Sequence, residues 1–132
     1  MIKNIKIGDS AQLSKVMSEE DVYEFSKISG DFNPVHIDAE AAKNTRFGKR
    51  ICHGILVASL ISAVIGMQLP GQGAIYLEQS LKFVKPVYIG DMVTATVKVM
   101  KIEGKILFLE TVIVNQDNAE VILGNAKVML DE

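Results

Sequence analysis

The segment Asp31–Asp38, with the sequence DFNPVHID, places a carboxylate and an imidazole five residues apart, at Asp31 and His36. Pro34 lacks an amide hydrogen and pushes Asn33 toward extended geometry, so we expect no regular helix at the centre of the segment. A loop bent in this way can bring the two side chains to one small volume. Such a pair could take a proton from water and deliver one to carbon, as hydration of a double bond conjugated to a thioester requires. General acid–base help of this kind typically gives about 10²–10⁴-fold.

The same residue types also fit purely structural roles. Asp31 could cap a helix and His36 could be a hydrogen-bonded loop residue, and the spacing does not say which of the two would take the proton of water. We expect structural roles for two neighbours: Asn33 for turn geometry, and Asp38 as the N-cap of a short helix over Ala39–Lys43.

A second candidate feature is the start of the apolar segment His53–Leu69. The first amides of a helix have no partner within it and lie at the positive end of its dipole. Gly54 would let a ligand carbonyl come close to them, so its amide could stabilise the negative charge that develops on a thioester oxygen. The structural alternative is that His53 only caps the helix and Gly54 only packs.

Two further residues of this region carry weaker signals. Ser62 lies about two turns beyond Gly54, but a serine within a helix commonly bonds back to a backbone carbonyl. Cys52 has no evident partner base nearby in sequence, so we expect a small buried apolar residue rather than a nucleophile.

The elements that must position these residues are indicated by caps and periodicity. A strand is expected near Ala11–Met17. Ser18 suits the N-cap of a following helix whose first turn is acidic, and Gly30 suits its end. The segment His53–Leu69 is apolar on nearly every face, which predicts a helix buried on all sides. Its small residues fall on one stripe, where backbone or ligand could approach closely: Ser59, Ser62 and Gly66.

The second half of the chain changes to a period of two, which indicates strands. Apolar residues alternate with polar ones from Ile75 to Phe83 and from Val93 to Val99, and further strands are expected near 106–116 and 119–130. Short connections favour antiparallel pairing. The sequence therefore predicts one α+β domain over residues 1–132, in which an antiparallel sheet wraps around the buried helix.

Composition excludes several classes of protein. The net charge is -2 and the 14 Lys and Arg residues are scattered, so nucleic-acid binding is not expected. One cysteine and two histidines form no recognised zinc pattern, so no metal is expected. Residues Met1–Ser10 lack the apolar core of a signal peptide, and no apolar run reaches the about 20 residues of a bilayer span. We expect a cytoplasmic protein without a membrane segment.

The motif Asp31-Phe32-Asn33-Pro34-Val35-His36 resembles the Asp-x-Asn-Pro-x-His signature of the MaoC-like hydratases. The resemblance extends over nearly the whole chain and is strongest to the short, single-domain (R)-specific enoyl-CoA hydratases that supply polyhydroxyalkanoate synthesis. Its other matching segments, in order and spacing, are Phe25–Asp38, Arg46–Gly54, Ala58–Ser62, Gln68–Gly71 and Phe83–Asp91.

The resemblance implies a hot-dog fold that forms a homodimer, with sites in tunnels near the subunit interface. It implies Asp31 and His36 as the catalytic pair, the Gly54 amide as the oxyanion donor, and Ser62 as a residue near the acyl pocket. The implied substrate is a trans-2-enoyl-CoA, hydrated reversibly to (R)-3-hydroxyacyl-CoA without a metal or redox cofactor.

Three other functions stay open. One is dehydration of 3-hydroxyacyl groups on acyl carrier protein, for which the cationic residues Lys43, Arg46, Lys49 and Arg50 could form a basic collar. The second is a hot-dog acyl-CoA thioesterase. The third is an acyl-binding module without catalysis. The sequence does not indicate acyl chain length, pathway or physiological direction.

Overall fold

The computed structural model describes residues 4–131 as one antiparallel sheet and four helices. The predicted domain and N-terminal segment include residues 1–3 and 132, which lie outside the described residues. The helices are α1 (Glu19–Ser29), α2 (Pro34–Ile37), α3 (Ala39–Lys43) and α4 (Gly54–Met67). The strands are β1 (Ser10–Val16), β2 (Ala74–Gln79), β3 (Lys82–Phe83), β4 (Met92–Glu103), β5 (Ile106–Val114) and β6 (Glu120–Leu130).

The sheet runs in the order β1-β4-β5-β6-β2, with the short β3 also paired to β6. The predicted turns before β5 and β6 are confirmed, with Gly104 (φ 61°) and Asn118 (φ 62°) in the left-handed region. Helix α4 packs against the concave side of the sheet, chiefly on β4 and β1. The predicted α+β architecture, a hot-dog fold with a sheet curved around one central helix, is confirmed.

The core forms where α4 meets the sheet. Alternate residues of β4 are fully buried against it, as the period of two predicts: Val93, Ala95, Val97 and Val99. Their partners on the buried side of α4 are Val57, Ile61 and Val64, each with no exposed surface. Interlocking of apolar side chains between helix and sheet is the main source of stability in such a layer arrangement.

The sequence predicted a helix α4 buried on all sides and an alternating pattern in β2, and neither prediction holds in the single chain. Helix α4 buries one face, whereas the other, with Ile55, Ser59, Ser62 and Gly66, is exposed. Strand β2 does not alternate either: most of it is exposed, and its pairing with β6 is irregular between Tyr76 and Glu78. Helix α4 is apolar on nearly every face and β2 carries Ile75 and Leu77, but the described chain covers only one face of α4 and leaves most of β2 exposed.

The local elements before α4 follow their caps. Ser18 and Asp21 form a reciprocal capping box at the start of α1, and Gly30 ends the helix in the left-handed conformation (φ 82°). Asp38 caps α3 by accepting hydrogen bonds from the amides of Glu40 and Ala41, as predicted. None of the helices formed by residues 4–131 is long and apolar enough to span a bilayer.

Candidate active site

The end of α1 positions Asp31. After Gly30 turns the chain, the Asp31 amide donates to Ser29 Oγ at 3.1 Å, and the Ser29 hydroxyl donates to the carbonyl of Phe25 at 2.7 Å. The Asp31 Oδ1 atom accepts a hydrogen bond from the Asn33 amide at 3.1 Å. The side chain is exposed, and its Oδ2 atom has no hydrogen-bond partner within residues 4–131. One carboxylate oxygen is therefore used to shape the loop, and the other is available to a ligand.

His36 lies on a one-turn helix that the sequence prediction excluded. Pro34 is the first residue of α2, a position where a missing amide hydrogen costs nothing and where its fixed φ suits the helix. Asn33 is its N-cap and accepts a hydrogen bond from the amide of Val35. The proline thus starts a helix instead of preventing one.

The imidazole of His36 is buried to 8% exposure, and its Nδ1 atom lies 2.8 Å from the carbonyl oxygen of Ile51. A carbonyl can only accept, so Nδ1 carries the hydrogen and donates it. In the neutral ring, Nε2 therefore holds the lone pair. This arrangement leaves Nε2 able to accept a proton from a ligand.

His53 joins this pair, although the sequence indicated only a capping role for it. As N-cap of α4 it makes no side-chain capping bond. Instead its ring stacks on that of His36, with centroids 3.9 Å apart and planes inclined by 27°. Its Nε2 atom lies 3.0 Å from the carbonyl oxygen of Asp31. Burial is the main cause that lowers the pKa of His53, and the proximity of His36 lowers it further. The position directly before Gly54 was the only sequence signal for this residue.

Asp31, His36 and His53 each place one carboxylate oxygen or ring nitrogen within 4.8 Å of such an atom of the other two. With Gly54 they line one cavity of about 270 Å³, completed by Phe25, Ser29 and Ile55. A water about 2.8 Å from each partner could bridge Asp31 and His36 across this distance. Imidazole lone pairs lie in the ring plane, so two nearly parallel stacked rings do not direct them at one metal ion. The cluster suits a bridging water better than a cation.

Gly54 is the first residue of α4, so its amide has no partner within the helix. A Cβ atom at this position would lie 2.6 Å from Cε1 of Phe83, too close for any real contact. The packing role that the sequence allowed for Gly54 thus has an observed partner in Phe83, whereas the capping bond considered for His53 is not made. Gly54 also lies in the wall of the cavity that holds Asp31 and His36.

Ser62 is not in that cavity. It lines a separate groove of about 340 Å³ between the exposed face of α4 and β2, together with Ser59 and Tyr76. The back-bond considered from the sequence is made by Ser59, which donates to the carbonyl of Leu56 at 2.5 Å, while Ser62 makes none. Ile55 lines both this groove and the Asp31 cavity, so the two are neighbours along α4.

A third cavity, of about 440 Å³, lies on the other side of Gly54 and is mainly apolar, with Phe83, Val84 and Ile122 in its wall. Two cationic residues, Arg46 and Lys85, also line it. Cys52 contributes to the wall, and burial raises the pKa of its thiol to about 12. A thiol with so high a pKa is a poor nucleophile, which agrees with the small apolar residue expected from the sequence.

Comparison with known proteins places this site in a family. The family described as MaoC like domain matches residues 4–121. The chain belongs to the MaoC-like family. An (R)-specific enoyl-CoA hydratase of Rhodospirillum rubrum is 56% identical over 97 residues, which cover 74% of this chain and 67% of that protein. This MaoC-like chain also resembles the mitochondrial 3-hydroxyacyl-[acyl-carrier-protein] dehydratase FERN of Solanum lycopersicum, at 41% identity over 96% of this chain and 78% of the relative.

A solved structure, an (R)-hydratase from A. caviae involved in PHA biosynthesis, superposes with a TM-score of 0.95 at 44% identity. The superposition covers 98% of this chain and 99% of that one. The hot-dog fold that the sequence motif implied is therefore shared over the full length of a MaoC-like relative.

Proposed function

We propose that this protein is an (R)-specific enoyl-CoA hydratase, a hydro-lyase that interconverts trans-2-enoyl-CoA and (R)-3-hydroxyacyl-CoA. The observation that carries the proposal is the convergence of Asp31, His36 and the Gly54 amide on one cavity. The names of the R. rubrum and A. caviae relatives support the same activity. By analogy with the A. caviae protein, the product would supply polyhydroxyalkanoate synthesis.

In the proposed reaction the Gly54 amide donates to the thioester oxygen. Water is held between Asp31 Oδ2 and His36 Nε2, and its oxygen attacks C3 of the enoyl group. The electron pair of the double bond moves toward the thioester oxygen, where the helix-start amide stabilises the enolate charge. Neutral His36 can accept the proton of water at Nε2, because Nδ1 already donates to Ile51. Asp31, on the same water, is the second group for proton transfer. The Asp31 and His36 pair returns the proton taken from water to C2, on the face that received the hydroxyl, so one water is added and both residues regain their starting protonation states.

The three cavities suit the three parts of such a substrate. The Asp31 cavity would hold the reacting carbons, and the groove beside Ser62 would hold the acyl chain. The third cavity is mainly apolar and contains Arg46 and Lys85, which suits the coenzyme A arm: its methylene and methyl groups can lie on the apolar wall, and its phosphates can pair with the two cations. We propose Asp31 and His36 as catalytic residues, Gly54 as the oxyanion donor and Ser62 as a substrate-binding residue.

We propose that the active form is a homodimer. Within residues 4–131, strand β2 pairs only with β6, so its outer edge is open, and it presents the exposed apolar residues Ile75, Tyr76 and Leu77. An open apolar edge is normally covered in a native protein. The exposed face of α4 lies against the same groove, so a second chain would complete both. A cytoplasmic location is part of this proposal and follows from the sequence expectations alone.

The proposal is tested by following crotonyl-CoA hydration through the loss of enoyl-thioester absorbance. Asp31→Asn and His36→Gln are each expected to lower kcat by about 10²–10⁴-fold, with unchanged circular dichroism. Activity close to wild type in both variants would refute the assignment. The proposed absence of a metal predicts that EDTA leaves the rate unchanged, and a rate restored only by added zinc after chelation would contradict it.

A second candidate is dehydration on acyl carrier protein, favoured by the S. lycopersicum relative and by Arg46 and Lys85 at the third cavity. Two residues of the expected basic collar are engaged elsewhere: Arg50 pairs with Glu19 at 3.2 Å, and the Lys49 ammonium lies over the ring of Tyr88. Turnover of one acyl chain on coenzyme A and on carrier protein decides between the two. A thiol reagent in the same assay would reveal thioesterase activity, which we expect to be absent.

A further inference from the structure

We propose that His53 is a positioning residue of the hydration site, holding the Asp31 backbone and the His36 ring in their relative places. This inference rests on the proposed function. His53 is distant in sequence from Asp31 and His36, the two residues that it would hold in place, and it is 3% exposed. It therefore acts on the reaction through its neighbours and not through the substrate.

The hydrogen-bond pattern assigns the tautomer of His53. The Asp31 carbonyl oxygen, 3.0 Å away, can only accept, so Nε2 carries the hydrogen. Ser26 Oγ, at 3.3 Å from the same nitrogen, is a second oxygen in reach. In the neutral ring Nδ1 is then bare, and this atom is buried without a hydrogen-bond partner in the described part of the chain. Burying an unpaired polar atom is unfavourable, so an apolar ring would suit this pocket better if the ring served packing alone.

The contacts of His53 join three elements. One face stacks on His36 of α2, and Phe25 of α1 meets the ring edge-on at 4.8 Å between centroids. The Nε2–H bond holds the loop at Asp31, and the residue itself begins α4. A single side chain thus links both proposed proton-transfer groups to the helix whose first amide faces the thioester oxygen.

The charge state supports this role. Burial lowers the pKa of His53, which favours the neutral ring beside His36, the group that must be able to gain a proton. A cation at His53 would oppose that proton, because the two rings are stacked. A neutral His53 can therefore hold the His36 ring in place without opposing the positive charge that His36 gains in the reaction.

Three substitutions separate the hydrogen bond from the ring. His53→Phe keeps an aromatic ring and removes the donor. His53→Gln places an amide donor at about the reach of Nε2, whereas His53→Asn has the same chemistry but is too short to reach the Asp31 carbonyl. We expect kcat for crotonyl-CoA to fall about 10–100-fold in the Phe and Asn variants, with KM within about threefold of the wild-type value. The Gln variant should have a kcat about tenfold higher than that of the Asn variant.

A double-variant cycle tests the route of the effect. In an Asp31→Asn background, His53→Asn should lower kcat by a clearly smaller factor than it does in the wild-type background, because one of the two groups it positions no longer transfers protons. Equal kcat in the Gln and Asn variants, or a full additional loss in the Asp31→Asn background, would overturn the inference. If His53→Phe does not fold, the Gln and Asn pair still decides. An inactive wild type would refute the proposed function and this inference with it, whereas an active wild type with unaffected His53 variants refutes the inference alone.

Discussion

The start of α4 and its exposed face differ in how completely one chain builds them. At the start, His53 and His36 are buried. The two imidazole rings are held in place by hydrogen bonds and by their mutual stacking, all within the chain. Along the exposed face, Ser59 and Ser62 line an open groove whose other wall is β2, the strand at the edge of the sheet. The comparison indicates that one chain arranges the residues proposed for catalysis. The groove proposed for the acyl chain is open, and a second chain would close it.

Among the predictions that test this comparison, the largest expected effect is at the start of the helix. Gly54→Ala should lower kcat by about 10²–10³-fold, because the added methyl group obstructs the approach of a carbonyl to the first amide of α4. Crotonyl-CoA hydration kinetics measure this loss.

The same methyl group also meets the ring of Phe83, so a second variant separates the two causes. Adding Phe83→Ala removes the clash but does not reopen the amide. The double variant should therefore stay as slow as Gly54→Ala. Recovery to near the wild-type rate would assign Gly54 to packing alone.

The next prediction concerns the open edge. Leu77→Lys should weaken the proposed dimer by more than about 100-fold in dissociation constant, because a buried unpaired ammonium is strongly unfavourable. Light scattering after size-exclusion chromatography measures the change.

Val16→Lys is the matched control, since Val16 is an exposed apolar residue at the opposite edge of the sheet, on β1. It should remain dimeric. Loss of the dimer in both variants, or in neither, would break the proposed distinction between the two edges.

A smaller effect is expected within the groove. Ser62→Leu should lower the ratio of kcat/KM for an eight-carbon enoyl-CoA to that for crotonyl-CoA by about tenfold, because the larger side chain occupies space that only the longer acyl chain needs. Equal losses on both substrates would place Ser62 outside the acyl pocket and contradict its proposed role.

The smallest effect is in the pH dependence of stability. Burial lowers the pKa of His53 in the folded chain, so the unfolded chain binds more protons between that pKa and the ordinary value of about 6.5. This contribution is complete above about pH 6.5 and is lost as the pH falls through the lowered pKa. Urea unfolding from pH 7.5 to 5 should therefore show a steeper decline for the wild type than for His53→Gln. Parallel declines would contradict the assignment of a neutral buried ring.

Local sequence determined most helices and strands, and it indicated the Asp31 and His36 pair of the proposed site. Caps such as Ser18, Gly30 and Asp38 act within a few residues of their own position, and the alternation of β4 reflects the pleat of a strand. For the same reason the Asp31 and His36 pair was visible, since both lie on one short segment. The turn at Pro34 was the local exception, because a proline restricts a helix interior but suits the first residue of a helix.

Only the tertiary structure decided what lies beside that pair. His53 is 22 residues from Asp31 along the chain, and their hydrogen bond depends on how α4 docks against the end of α1. Tertiary packing also separated Ser62 from the Asp31 cavity and left one apolar face of α4 uncovered. Hydropathy records which residues avoid water, but not whether their own chain or a second one covers them.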